Sequence, residues 1–171
     1  MILKIILVLV IVAFIAVVIN GVEDYNSHNR TNKLSFKESI DSLTIPIVTL
    51  FNNDKAFNFV VDTGANYSVI NAEYLKLFDA KILKGITGKV YGINGDPQDV
   101  YYARIQLSQY NDNFVEEFQV FDIQSMCDNL KEENGVEIAG ILGSSFFQRY
   151  KFIIDFNELN MYRNDKGNNQ T

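Results

Sequence analysis

The sequence predicts a mainly β domain with one or two short helices, preceded by a single apolar N-terminal helix. Three observations carry this expectation. Apolar residues recur with period two, as where Phe57, Phe59 and Val61 alternate with Asn58, Val60 and Asp62, the pattern of a strand with one buried face. Between such runs stand turn-forming clusters, Asn52-Asn53-Asp54 and Asn94-Gly95 among them, which suit tight β reversals. Residues 1–19 form a nearly continuous apolar run, long enough to cross a bilayer as a helix.

Length and composition narrow the function classes. The chain has 171 residues, which after the apolar segment suits one domain able to bury its own core. The net charge is −6, with scattered acids and no basic cluster, which argues against nucleic acid as a partner. Cys127 is the only cysteine, so no intramolecular disulfide forms. His28 is the only histidine and lies in a polar stretch, which removes Ser-His-Asp and Cys-His catalysis and histidine-bearing zinc sites. No glycine-rich phosphate loop of the usual spacings occurs.

Taken in order, residues 1–20 read as a transmembrane anchor, with a cleaved signal peptide as the rival. No Ala-x-Ala site precedes the polar stretch and no lipobox-like cysteine follows the apolar run, which favours the anchor. Lys4 before the run and Glu23-Asp24 after it favour a cytoplasmic N-terminus, with the domain on the extracytoplasmic side of the membrane. Residues 21–42 are polar and read as a linker. Thr44–Leu50 and Ala56–Val61 are expected as strands around the Asn52-Asn53-Asp54 turn. Asn71 is placed to cap a short helix over Ala72–Phe78, with Glu73 near its positive end. A glycine-rich stretch from Gly85 to Asp96 centres on Asn94-Gly95 and returns through Val100–Leu107. A further hairpin turns through Asn111-Asp112-Asn113 into Phe114–Phe121, and Ser125–Asn134 reads as a short helix or loop ending at Gly135. Phe152–Tyr162 reads as a strand, an Asn-Glu turn and a closing strand, and residues 164–171 as a polar, frayed tail.

The strand ending at Val61 delivers Asp62 into a Thr63-Gly64 turn. A carboxylate there sits at a rigid strand end; the Thr63 hydroxyl and the Gly64 amide are suited to holding it or to stiffening the turn. Asp, Thr and Gly also make ordinary turns. About eighty residues on, Ile141-Leu142-Gly143 follows Ile138-Ala139-Gly140 and leads into Ser144-Ser145-Phe146-Phe147, an apolar pair, a glycine and a helix start.

Those segments, in that order, resemble the retropepsin-like aspartic proteases, in particular bacterial single-domain members. The resemblance implies a closed or partly open β-barrel of the acid-protease type over residues 43–163. In it Asp62 is the catalytic residue, Thr63, Gly64 and Ala65 support its loop, and Ile141, Leu142 and Gly143 thread beneath it into a helix over Ser144–Arg149. Tyr91, Gly92, Ile93, Asn94 and Gly95 fall where the family has its substrate-covering flap. No second Asp-Thr-Gly or Asp-Ser-Gly exists in the chain, so paired carboxylates imply a homodimer with Asp62 facing its copy. The pair then shares one proton and activates a water against a peptide bond, with no metal or other cofactor. Protein or peptide substrates with extended apolar segments are expected. Asn66-Tyr67-Ser68 matches a glycosylation triplet whose glycan would obstruct the site, which favours a bacterial envelope. Two other readings use the same residues: a noncatalytic, membrane-anchored peptide-binding module of this fold, and an envelope structural β-domain in which Asp-Thr-Gly is a plain turn.

Overall fold

The computed structural model describes residues 33–91, 97–110 and 112–163. In chain order they form β1 (Lys33–Ser35), α1 (Lys37–Leu43), β2 (Ile47–Asn52), β3 (Lys55–Val61), β4 (Val69–Asn71), β5 (Ala80–Tyr91), β6 (Pro97–Gln109), β7 (Asp112–Phe121), α2 (Gln124–Asn134), β8 (Gly140–Leu142), α3 (Ser144–Tyr150), β9 (Phe152–Asp155) and β10 (Asn160–Arg163). The class is mainly β, as expected.

Six strands close on themselves in the order β2-β3-β8-β4-β7-β6, with β5 added outside β6. Closure comes from the β2–β6 pairing at Phe51 and Ser108. Asn52 secures it from inside: its buried amide donates to the Gln106 carbonyl (2.8 Å) and accepts from the Asp79 amide (2.8 Å). Short strands β3 and β8 run parallel, as do β4 and β7, while β2–β3, β4–β8, β5–β6 and β6–β7 are antiparallel. A second sheet of order β1-β10-β9 is not hydrogen-bonded to the barrel strands but sends Leu34 and Met161 into the same core.

Period-two burial builds the core. Phe57, Phe59 and Val61 of β3 point inward, as do Ala103, Ile105 and Leu107 of β6 and Phe114, Phe118 and Val120 of β7. Phe59 stacks on Phe118 at 5.9 Å, and Phe57 on Phe78 at 3.9 Å. In β5 the register jumps between Leu83 and Thr87. Gly85 sits in that jump at φ +80°, a conformation that favours a residue without Cβ.

The structure changes four expectations. The polar stretch assigned to a linker is folded from Lys33: Leu34 and Phe36 are buried, the Phe36 amide donates to Leu159 O (3.0 Å), and the Ile47 amide donates to Ser39 Oγ (2.9 Å). With α1 there, the described residues hold three α-helices rather than one or two. The helix expected over Ala72–Phe78 is only a single 3-10 turn, Leu75–Leu77. Asn71 ends β4 instead of capping, with its side chain donating to Gln124 Oε1 (2.7 Å), and the chain must reach β5 at once because Phe78 is stacked in the core. The β6–β7 reversal is shorter than Asn111-Asp112-Asn113: Asp112 and Asn113 already belong to β7, Asp112 pairing with Gln109 and accepting from Arg163 (2.8 Å), while Tyr110 takes a positive φ (53°) before it. The expected α2 is present and ends at Gly135, whose amide donates to Lys131 O (2.8 Å).

Among the described residues no helix is long and apolar enough to cross a membrane. The expected anchor, residues 1–20, the first part of the linker and the tail 164–171 lie outside the described residues, as do Gly92, Ile93, Asn94 and Gly95 of the expected flap.

Candidate active site

Strand β3 carries the chain into the Asp62 turn, and β8 keeps it aligned there. The parallel β3–β8 register, Phe59 with Gly140 through Val61 with Leu142, continues one step further as the Asp62 amide donates to Leu142 O (3.0 Å). Asp62 itself is half-buried, whereas Thr63 and Gly64 are exposed. The Gly64 amide donates to Asp62 Oδ1 at 2.8 Å, and the Ala65 amide reaches Asp62 O at 3.3 Å. One carboxylate oxygen is therefore held by the turn. A Cβ on Gly64 would stand 3.1 Å from Asp62 Oδ1, so the glycine permits this close approach.

The segment Ile141-Leu142-Gly143 meets the turn through β8. Leu142 and Gly143 are buried and Ile141 is half-buried, pairing with Val60 on one side and Val69 on the other. Gly143 has no room for a side chain: a Cβ would lie 2.5 Å from the Tyr67 carbonyl carbon and oxygen and 2.9 Å from Ala65 O. The first turn of α3 then uses donors that a helix start leaves unpaired. The Ser144 amide donates to Ala65 O (2.8 Å), the Ser145 amide to Asn66 O (3.1 Å), and Ser144 Oγ to Thr63 O (2.6 Å). Loop carbonyls and helix amides thus satisfy each other and brace the turn.

Four residues near the turn escaped the sequence reading. Glu116 of β7 is fully buried; Oε1 accepts from Ser68 Oγ (3.0 Å) and Ser145 Oγ (3.4 Å), and Oε2 from Arg149 Nη1 (3.0 Å). Ser68 Oγ in turn accepts from the Gly143 amide at 3.2 Å. Burial pushes the Glu116 carboxyl above its ordinary value, against the opposing pull of Arg149 and of the two serine hydroxyls. The signal was present: in Phe114-Val115-Glu116-Glu117-Phe118 the period-two pattern puts Glu116 on the apolar face.

Of the expected flap residues, only the backbone of Tyr91 falls within the described residues, pairing with Pro97 at the outer end of the β5–β6 hairpin. Two clefts of 460 and 510 Å³, one bordered by α1 and β2 and the other by Tyr74 and Leu77, include neither Asp62 nor its turn. With Thr63 and Gly64 exposed, the Asp62 turn lies at the surface of the chain.

No curated protein matches the chain. Solved structures similar to it include the EIAV protease complexed with the inhibitor HBY-793, at 19% identity and TM-score 0.46 over 61% of this chain and 86% of that one; the retroviral protease-like domain of Ddi1 from Leishmania major, at 16% and 0.48 over 70% and 87%; and a retropepsin-like aspartic protease from Rickettsia conorii, at 20% and 0.48 over 76% and 87%. A family model described as aspartyl protease matches residues 47–146, from the first residue of β2 into α3 and across the Asp62 turn, the hairpins and the threading segment. The match spans more than half of the chain, and the protein belongs to the aspartyl protease family.

Proposed function

We propose that the chain is a membrane-anchored aspartic endopeptidase that cuts protein or peptide substrates as a homodimer, from the extracytoplasmic side of a bacterial envelope. The observation that carries the catalytic reading is the Asp62 carboxylate at the end of β3, half-exposed, with one oxygen fixed by the Gly64 amide at 2.8 Å. The exposed Thr63-Gly64 turn, and the single Asp-Thr-Gly per chain, support a site completed by a second copy.

In such a dimer two Asp62 carboxylates face each other and share one proton, because like charges at that range do not both ionise readily. The ionised member takes a proton from a water between them, and the resulting hydroxide attacks the peptide carbonyl carbon. The protonated member hydrogen-bonds the carbonyl oxygen and transfers its proton to it as the tetrahedral intermediate forms. Collapse of that intermediate moves a proton to the departing nitrogen and restores the shared one. Thr63, exposed at the turn, brings a hydroxyl to the paired loops, and the β5–β6 hairpin covers the substrate. The pair needs neither metal nor cofactor. Anchoring through residues 1–20 confines the chains to a surface and raises their local concentration for pairing.

The test is cleavage of an unfolded protein by the full chain in mild detergent from about pH 3 to 8, beside Asp62→Asn. Cleavage lost in the variant and rising more steeply than linearly with enzyme concentration is expected. Equal cleavage by both proteins would place the chemistry elsewhere, and none by either would favour a peptide-binding domain.

A further inference from the structure

We propose that Glu116 is a positioning residue for the Asp62 turn, its buried carboxylate joining Ser68 at the far end of the turn to Ser145 and Arg149 of α3. The proposal rests on the reading of Asp62 as the catalytic carboxylate.

A carboxylate on the inward face of a barrel strand is costly to bury unless it is paired and hydrogen-bonded. Glu116 meets that condition with three donors from two other segments, Ser68 and Ser145 on Oε1 and Arg149 on Oε2. Each contact has a direction. Ser68 has one hydroxyl proton; giving it to Glu116 leaves a lone pair for the Gly143 amide at 3.2 Å. The carboxylate therefore orients the Ser68 hydroxyl, and the hydroxyl provides the acceptor for Gly143.

Gly143 is the residue whose close contact with Ala65 and Tyr67 leaves no room for a Cβ. The turn is thus held at both ends, by Leu142 O on the Asp62 amide and by Ser68 Oγ on the Gly143 amide. Loss of the Glu116 carboxylate frees the second end and lets Asp62 drift from its place. Glutamine does not replace it. With an NH₂ in place of one oxygen, either Arg149 or the two serine hydroxyls face a donor where they had an acceptor.

The experiment compares the full chain with Glu116→Gln, Ser68→Ala, the double variant and Asp62→Asn. One readout is steady-state cleavage of a quenched fluorescent peptide with apolar residues around a single cut. The other is amide hydrogen exchange, which needs no activity. A misplaced catalytic group costs on the order of a hundredfold, so each single variant is expected to lower kcat by about ten- to a hundredfold with KM changed less than about twofold. Residues acting through one contact are not additive, so the double variant should be no slower than the worse single. Exchange should quicken at Gly64, Ala65 and Gly143 while Ile105 and Leu107 keep their protection. Unchanged kcat, additive losses or uniformly faster exchange would overturn the proposal and leave Glu116 a general stability residue. If wild type cleaves no better than Asp62→Asn, the protease reading fails by itself. Selective or uniform exchange then still decides whether Glu116 holds the turn.

Discussion

At the residue scale, two side-chain positions decide whether the Asp62 turn keeps its shape. Gly143→Ala would force a Cβ to within 2.5 Å of the Tyr67 carbonyl, and backbone on both sides cannot swing away as a flexible side chain would. Overpacking of this kind costs about 3 kcal/mol, sometimes more, so urea unfolding should show at least that loss, together with loss of any Asp62-dependent cleavage. Glu116 makes a prediction in pH. Burial raises its carboxyl against the pull of Arg149 on α3 and of the Ser68 and Ser145 hydroxyls, with Glu117 beside it raising it further. An acid raised on folding lends its full stability below its unfolded value and loses it as pH rises through the raised one, because the unfolded chain ionises first. The melting temperature of wild type minus that of Glu116→Gln should therefore grow as pH falls from neutral through the raised Glu116 range to below the ordinary one. A difference that shrinks instead would mean that the Arg149 attraction outweighs burial. The Asp62 turn was legible in the sequence because its signal is local, one strand end and one dipeptide. The Glu116 contacts join residues 48 apart for Ser68 and 33 apart for Arg149, and only the inward phase of a glutamate in β7 hinted at them.

At the scale of elements, strands with one apolar face announced themselves and short pieces did not. β2 and β3, β6 and β7, α2 and the β9–β10 hairpin lie close to where alternation and turn residues put them, and α3 lies where the family resemblance put it. The stretch before β2 did not, because Leu34, Phe36, Ile40 and Leu43 stand scattered among polar neighbours, and one inward residue in a three-residue strand is below what periodicity can reveal. The Ala72–Phe78 stretch failed differently: helix propensity and a capping asparagine are local, but the demand that Phe78 stack on Phe57 is not. The first of these misreadings has a direct test. Phe36 is 1% exposed, and truncating a buried phenylalanine costs about 3–5 kcal/mol; a tether residue in water would cost within about 0.5 kcal/mol. Denaturant unfolding of Phe36→Ala should show the larger loss, and a loss near zero would return residues 33–42 to the linker.

At the scale of the whole molecule, the closed barrel is the part least accessible to local reading. Its closing pair, Phe51 with Ser108, lies more than fifty residues apart in sequence, and no periodicity encodes which strand edge meets which. The family resemblance implied the closure, and the structure shows how Asn52 locks it. Closure matters to function because it fixes β3 and β8 as a pair and so places Asp62 on the rim where their ends meet. Thr63 and Gly64 are exposed there, and nothing within the sequence supplies a second Asp-Thr-Gly. A site built from one carboxylate per chain makes a quantitative prediction about mixtures. If chains exchange freely, Asp62→Asn mixed with an equal amount of wild type captures half of the wild-type chains in mixed pairs, so cleavage falls to about half that of the same wild type alone. A threefold excess lowers it to about one quarter, since only that share of wild-type chains still finds an intact partner. Titrating the variant into wild type, with time for exchange, reads this directly by the rate of peptide cleavage. A rate indifferent to the variant would mean that each chain holds a complete site, and the homodimer reading would give way to one in which Asp62 works with a carboxylate of its own chain.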